Sequence, residues 1–155
     1  MKPISVLIDL DRLKDLNTGL GQVAEFFGDE IGRLRDERFR FTLLVPAKFK
    51  GHFGNNVDYE VVSFKRRFFP SLCKKYDLWY TIHQDSGYFP SDKETPYILT
   101  INDLNFLAEK TPLKAAMRLK ILQKKVNRAT AITVISRYTE TDVRKNLRVG
   151  DIPIH

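Results

Sequence analysis

Short, solid runs of apolar residues recur along this chain, and they constrain its fold more than any other feature. The first run, ISVLIDL, lies within Lys2–Leu10, and a later one, YILTI, spans Tyr97–Ile101. Continuous runs of this length are typical of strands that are buried on both faces of a sheet. The other runs that predict strands are Phe39–Val45, Val57–Phe64, Asp77–His83 and Ala131–Ile135, with Ile152–Ile154 as the start of one more.

Helical patterns separate these runs. Residues Leu20–Leu34 carry apolar side chains at the spacing of one helical face, and Pro112–Arg128 begins with a proline in its first turn. Ser136 stands where an N-cap would start a further helix, RYTETDVRKNL. Apolar strands that alternate with helices predict an open, mostly parallel sheet with helices on both faces, a Rossmann-like α/β fold. A chain of 155 residues is expected to form one such domain.

Composition excludes several classes of protein. No apolar run approaches the roughly 20 residues of a membrane span, and Asp9 and Asp11 interrupt the opening segment before a signal-peptide core could form. Cys73 is the only cysteine, which excludes a disulfide framework and suits a cytoplasmic location. The 26 Lys and Arg residues against 19 Asp and Glu give a net charge of +7. That excess favours anionic partners such as nucleic acid, phosphorylated ligands or an acidic membrane surface.

A glycine-rich pattern follows the first predicted strand. Gly19, Gly21 and Ala24 fit G-x-G-x-x-A, which can mark a dinucleotide-binding turn between a strand and a helix. Here the polar insert DRLKDLNT separates strand and glycines, and the second predicted strand runs into Pro46 without a carboxylate for a ribose. A nicotinamide or flavin enzyme is therefore the weakest hypothesis.

The same loop can still bind an anion without being a dinucleotide turn. The backbone amides of Gly19, Leu20 and Gly21 would lie at the positive end of a helix, where phosphates bind. The alternative is that the two glycines only permit a positive φ in a turn.

The second half of the chain adds a more specific pattern. PYILTINDLNFLAEKTP is followed by a basic helix and then by RATAITVISRYTETDVRKNL. This order resembles the N-terminal domain of the family 4 glycosyltransferases, bacterial-type and other enzymes built of two Rossmann-like domains (the GT-B architecture). In that family a strand leads into T-I-H-D-L, a helix follows, and a segment of the type "ad-x-I-t-x-v-S-x-x-s-x-x-d" leads towards the second domain. With the first strand, the glycine loop and DLWYTIH, the resemblance covers nearly the whole chain.

The resemblance implies a hexosyl-type glycosyltransferase of carbohydrate biosynthesis. Such an enzyme transfers a sugar from a nucleotide-sugar donor to a hydroxyl of a carbohydrate or lipid-linked acceptor, with retention of configuration. It needs no resident cofactor, because the nucleotide sugar is a co-substrate, and no metal. Residues 1–155 would be the acceptor-side domain, inactive without the C-terminal donor-binding domain that it would contact across a cleft.

The resemblance also implies where the substrates bind. Gly19, Leu20 and Gly21 would face the donor phosphates, and Asn102 and Asp103 would position the acceptor. The family typically has histidine where this chain has Asn102, and an asparagine cannot titrate, so no catalytic residue is assigned. Asp103 has the alternative role of capping a short helix at Leu104–Ala108. Further acceptor-binding candidates are His83, Gln84 and Arg137, against the alternatives of an exposed loop histidine and an arginine beside a helix cap.

The helix after Pro112 is strongly basic, and its apolar residues are expected to face the sheet and leave the cations outward. We expect these cations to dock on an anionic membrane surface, at the inner face of the membrane, and the alternative is a solvated basic face. The cations are Lys114, Arg118, Lys120, Lys124, Lys125 and Arg128. The KRRFF cluster at Lys65–Phe69 supports a rival hypothesis, a basic α/β binding module for nucleic acid or anionic surfaces. Nucleic acid is not expected, because no RNP, KH or zinc-finger pattern is present.

Overall fold

A computed structural model describes residues 2–69, 71, 73–90 and 92–155 of the chain. The strands are β1 (Ile4–Asp9), β2 (Phe39–Val45), β3 (Asp58–Val61), β4 (Leu78–Thr81), β5 (Tyr97–Ile101) and β6 (Ala131–Val134). The α-helices are α1 (Gly19–Arg33), α2 (Phe64–Phe68), α3 (Phe106–Glu109), α4 (Pro112–Val126) and α5 (Arg137–Asn146). Among the described residues, η1 (Asp11–Asp15) and η2 (Ala47–Phe49) are 3₁₀ helices. Within these ranges no helix is long and apolar enough to cross a membrane.

The six strands form one sheet in the order β3-β2-β1-β4-β5-β6, and each neighbouring pair is parallel. This is the strand order of the Rossmann fold, in which ligands bind beyond the carboxyl ends of the strands. The predicted fold class is confirmed. Next to β6, Ile132 pairs with Ile154 in a parallel bridge, at the place where the sequence predicts one more strand.

Each face of the sheet carries its own hydrophobic core. Leu7 of β1 packs into a core with residues of α4 and α5, whereas its neighbours Val6 and Ile8 pack into a second core with α1. Side chains alternate between the faces of a strand, so a strand that is covered on both sides must be apolar at every position. This explains why the sequence shows solid apolar runs.

Two predicted boundaries around β3 are wrong. The run Val57–Phe64 was expected to be one strand, but β3 ends at Val61 and Phe64 already begins α2. Ser63 is the N-cap of that helix, and its hydroxyl accepts a hydrogen bond from the amide of Arg66. The capping serine lies inside a β-branched and aromatic run, which hides it in the sequence. Ser136 caps α5 in the same way, as predicted.

Helix α4 buries only part of the apolar face that the sequence predicts, since Leu122, Val126 and Ala129 are buried but three other apolar side chains are not. It buries Ala115, Leu122, Lys125 and Val126. The apolar side chains expected to pack beside them are instead mostly exposed, at 73% for Leu113, 60% for Met117 and 56% for Ile121. The helix therefore has two apolar stripes, and only one of them contacts the core.

Two of the six cations expected on the outer face of α4 point inward. Lys125 is buried, and the guanidinium of Arg128 donates to the carbonyl oxygens of Asp92 and Thr95. These carbonyls replace the water that the guanidinium of Arg128 loses, and the carbonyls of Gln84 and Ser86 do the same for Lys125. The prediction that Lys125 and Arg128 reach lipid headgroups is therefore wrong.

Candidate functional site

Three depressions adjoin at the carboxyl edge of the sheet, and Asp85 lines all of them. Their volumes are about 410, 210 and 200 Å³. Asp85 follows β4, and its side chain is 30% exposed. Arg118 of α4 donates to its Oδ2 over 2.6 Å, and a guanidinium nitrogen of Arg12 lies 3.6 Å from the same oxygen. The edge thus presents an accessible carboxylate held between two guanidinium groups.

The largest depression combines apolar and cationic walls. The guanidinium of Arg118 lies 4.9 Å from the ring centroid of Phe106, and both residues line it. Its other large or charged lining side chains are Arg67, Phe68, Phe89, Ile121, Leu122 and Lys125. Apolar walls with a few placed polar groups are the usual composition of a small-ligand pocket.

The segment that carries Asp85 is held by a buried lysine. Lys125 Nζ donates to the carbonyl oxygens of Gln84 and Ser86, over 2.5 Å in each case. Lys125 is only 6% exposed, and burial lowers its pKa although Asp85 and other carboxylates attract the ammonium. Since the lysine binds the backbone on both sides of Asp85, it fixes the position of the backbone that carries the Asp85 side chain.

His83 and Asp11 form a second support for this segment. They are 1% and 5% exposed, and His83 Nε2 lies 2.6 Å from Asp11 Oδ1. His83 Nδ1 accepts a hydrogen bond from the amide of Asp85 over 3.1 Å, so the proton of a neutral ring lies on Nε2 and is donated to Asp11. Burial lowers the pKa of His83 in spite of this carboxylate. Burial alone would raise the pKa of Asp11, but the hydrogen bond and charge of His83, with nearby cations, lower it.

Asp9, the last residue of β1, ties the segment to the centre of the sheet. It is fully buried, its Oδ1 accepts from the amide of Asp11 over 3.0 Å, and its Oδ2 accepts from the hydroxyl of Ser86. Burial, with the nearby charge of Asp11, raises its pKa to about 8. The raised pKa favours the protonated carboxyl, which lowers the cost of placing a charge at this buried position.

Some predicted site residues are brought together. Leu20, Gln84 and Asp103 line the 200 Å³ depression with Asp85. The side-chain amide of Gln84 donates to the backbone carbonyl of Asp103 over 2.9 Å. The expectation that Asp103 caps a helix at Leu104–Ala108 is wrong, because α3 begins at Phe106 with Asn105 as its N-cap. Asp103 Oδ1 instead accepts from the amide of Asn105 in a local turn.

Other predicted site residues lie apart from the three depressions. Asn102 is 9% exposed, and its side-chain amide lies 3.4 Å from both Ile82 O and Gln84 Oε1. Asn102 thus joins the ends of β4 and β5, an arrangement that does not direct it to an acceptor. His83 is buried rather than an exposed loop residue. Arg137 is exposed at the start of α5.

The glycine loop is the start of α1. The hydroxyl of Thr18 caps the helix and accepts a hydrogen bond from the amide of Gly21 over 3.1 Å. Of the three amides predicted to bind a phosphate, this leaves those of Gly19 and Leu20. Neither glycine has a positive φ, which contradicts the turn explanation. A Cβ at Gly21 would lie 2.1 Å from the carbonyl oxygen of Asp15. Gly21 is therefore required by close packing of the helix start on η1.

Sequence reasoning did not single out Asp85, Arg118 as its partner, or Lys125 as its support. Asp85 follows a predicted strand, which is a weak signal, but nothing local distinguishes it from the two polar residues before it. In the ranges that the structure describes, no group of three or more His, Cys, Asp or Glu residues could hold a metal ion.

The predicted family finds no support in comparisons with known proteins. No protein-family model matches the chain, and no curated protein matches it significantly. The resemblance to the family 4 glycosyltransferases therefore stays a prediction from the quoted segments.

Proposed function

We propose that this chain is the acceptor-side domain of a glycosyltransferase. The resemblance of its second half to the family 4 enzymes supports this reaction class. The observation that carries the proposal is the convergence of three depressions on Asp85 at the carboxyl edge of a Rossmann-type sheet, where ligands of such sheets bind. A carboxylate accepts hydrogen bonds from sugar hydroxyls, and two guanidinium groups hold this one in place.

In this proposal Asp85 orients the acceptor. Its carboxylate accepts a hydrogen bond from an acceptor hydroxyl, while Arg118 and Arg12 restrict its rotation. Lys125 fixes the backbone on both sides. Holding the hydroxyl in an attacking position is the main contribution that such a domain makes to the rate, because it removes the entropy cost of bringing two substrates together.

The donor would approach from the start of α1. Leu20 borders the same depression as Asp85, and the first turn of a helix has amides that attract phosphate. The donor-binding domain is the other wall of the cleft in this proposal. The reacting bond would then lie between the start of α1 and the end of β4.

The test is a transfer assay with a panel of nucleotide sugars. It uses a natural polypeptide that includes this chain and the expected second domain. We expect Asp85→Asn to lower the transfer rate about 100-fold, the typical effect of lost positioning, with little change in stability. Glu30→Gln is the matched control, because Glu30 is also an arginine-paired carboxylate but lies on α1 with a side chain 74% exposed.

Two results would overturn the proposal. One is the absence of transfer from every nucleotide sugar, and the other is an Asp85→Asn rate equal to that of the control. Asn102→Ala adds a separate test of the acceptor position that the family resemblance implies. Unchanged activity in that variant would move the acceptor from Asn102 to Asp85 without affecting the proposed reaction.

A further inference from the structure

The outward stripe of α4 is an apolar surface with no partner in the described part of the chain. Leu113, Met117 and Ile121 recur at four-residue intervals and are 73%, 60% and 56% exposed. At a rise of about 1.5 Å per residue, they extend over roughly 12 Å of helix. Scattered exposed apolar residues are normal, but a continuous stripe marks an interaction site.

Helix α2 presents a second group of exposed apolar side chains. Phe64, Phe68 and Phe69 are 69%, 56% and 51% exposed, and the ring of Phe64 lies 4.4 Å from that of Phe68 and 6.1 Å from that of Phe69. The helix is anchored by Arg66, which is 3% exposed and ion-paired with Glu60. The anchor points inward and leaves the three rings outward.

The two groups belong to one surface. Phe68 of α2 and Ile121 of α4 line the same 410 Å³ cavity, together with Phe89, which is 43% exposed. We call this the α2–α4 surface. It consists of Phe64, Phe68, Phe69, Phe89, Leu113, Met117 and Ile121.

Cations surround the α2–α4 surface. The two stretches of sequence that form most of it, residues 61–76 and 110–139, contain no aspartate or glutamate. Lys65 and Arg67 on α2 are exposed, as are Lys114, Lys120 and Lys124 on α4. Asp85 lines the 410 Å³ cavity beside this surface, and its carboxylate is paired with Arg118. An apolar centre with a positive rim is the arrangement of helices that lie in an anionic membrane interface.

We propose that the α2–α4 surface docks on an anionic lipid bilayer. The phenylalanines and the α4 stripe enter the boundary between headgroups and acyl chains, and the lysines contact lipid phosphates. This docking does not depend on the transferase proposal. It differs from the docking expected from sequence, because apolar insertion supplies the contact and Lys125 and Arg128 take no part.

Other occupants fit the surface less well. A second copy of the chain would bring two positive rims together, and like charges opposed across an interface are unfavourable. Single-stranded nucleic acid stacks its bases on aromatic rings, but the stripe on α4 is made of leucine, methionine and isoleucine. A bilayer matches the aliphatic stripe, the aromatic cluster and the positive rim together.

Vesicle flotation with the 155-residue chain tests the proposal. We expect the chain to float with vesicles of phosphatidylcholine and phosphatidylglycerol and not with phosphatidylcholine alone. Phe68→Ser and Ile121→Ser should each lower the apparent affinity about tenfold, the effect of losing one buried large apolar side chain. Phe26→Ser is the control, because Phe26 is 70% exposed but belongs to α1, on the opposite face of the sheet.

Charge and insertion are tested by matched pairs of variants. Lys120→Glu should weaken binding, whereas Lys50→Glu, the same change at an exposed residue after η2, should not beyond a general charge effect. A tryptophan introduced by Phe68→Trp should be quenched by brominated acyl chains, and one introduced by Phe26→Trp should not.

Several outcomes would overturn the proposal. These are flotation that Phe68→Ser and Ile121→Ser leave unchanged, the absence of flotation, and quenching equal in both tryptophan variants. Dimerisation or oligonucleotide binding that the serine variants abolish, without flotation, would assign the surface to that partner instead. Flotation of the 155-residue chain but not of a longer natural polypeptide that contains it would show that the rest of the protein covers the α2–α4 surface.

Discussion

Two regions border the 410 Å³ cavity: residues 83–86, which include Asp85, and the α2–α4 surface. Their side chains point in opposite directions. In residues 83–86 the side chains of His83 and Ser86 and the carbonyls of Gln84 and Ser86 are turned inward, towards Asp11, Asp9 and Lys125, and the Asp85 carboxylate faces the cavity. Across the cavity, α2 and α4 turn large apolar side chains outward. A buried and fully partnered segment has a fixed shape suited to orienting a ligand, whereas an exposed apolar surface gains free energy only when something covers it.

Two pairs of adjacent cations show the same contrast at single residues. Arg66 and Lys125 are 3% and 6% exposed, whereas their sequence neighbours Arg67 and Lys124 are exposed. Each buried cation fixes an element, and each neighbour belongs to the surface. Substitutions at such pairs separate structural support from surface charge, because the same change in charge is made once at a buried residue and once at an exposed one.

The largest expected effect concerns Asp9. Its pKa is raised from 3.8 to about 8 in the folded protein, first by burial and then by the charge of Asp11. Between these pH values the folded state keeps a proton that the unfolded state has released. The contribution of Asp9 to the free energy of unfolding is therefore fully present below about pH 4 and is lost as the pH rises to about 8, a change on the order of several kcal/mol. Asp9→Asn cannot titrate and should lose this decrease.

Urea unfolding at a series of pH values gives the measurement. His83 and Asp11 titrate in both proteins, so the difference between wild type and Asp9→Asn reports Asp9. Relative to wild type, the variant should become more stable as the pH rises. A constant difference across the range would mean that Asp9 is ionised in the folded protein. Glu30→Gln, at an exposed carboxyl, is the control for removing one negative charge.

Removal of the α2 anchor is expected to have the next largest effect. The guanidinium of Arg66 donates to Glu60 Oε1 over 2.5 Å and to the carbonyl of Lys74 over 3.0 Å, and it lies 5.6 Å from the ring centroid of Trp79. Arg66→Ala should lower the free energy of unfolding by about 3 kcal/mol, because it leaves a carboxylate without its partner. Arg67→Ala, measured in the same urea titration, should change it by less than about 0.5 kcal/mol. Equal effects would contradict the assignment of Arg66 as an anchor.

The lysine pair on α4 should give a smaller difference. Lys125→Met removes two charge-assisted hydrogen bonds to the segment that carries Asp85 and should cost about 2 kcal/mol of stability. Lys124→Met lies one residue away on the exposed side and should be neutral in thermal unfolding. If Lys125→Met is as stable as Lys124→Met, the carbonyls of Gln84 and Ser86 find other donors and the lysine does not hold the segment.

These pairs also mark where sequence reasoning succeeds and fails. Strands Phe39–Val45 and Tyr97–Ile101 were predicted residue for residue, because a strand covered on both faces is apolar throughout and leaves a local signal. The face of α4 was predicted only in part: Leu122, Val126 and Ala129 are buried as expected, but Leu113, Met117 and Ile121 form a second, exposed stripe, and the sequence does not say which stripe meets the sheet. The support of the Asp85 segment by Lys125 was not predictable, since Lys125 donates to the carbonyl of Gln84, 41 residues earlier in the chain.

Tyr97 is an exception among the buried polar groups and should give the smallest effect, of opposite sign. It is 0% exposed in β5, and its hydroxyl, although near Thr81, makes no hydrogen bond of good geometry in the described part of the chain. Burial of an unpaired hydroxyl destabilises the folded state. Tyr97→Phe removes this hydroxyl and should therefore raise the free energy of unfolding by about 1 kcal/mol. Tyr80→Phe is the matched control, since the Tyr80 hydroxyl accepts from Thr100 Oγ1 over 3.2 Å and its loss should be neutral or destabilising. A destabilised Tyr97→Phe would instead mean that the hydroxyl is hydrogen-bonded in the folded protein.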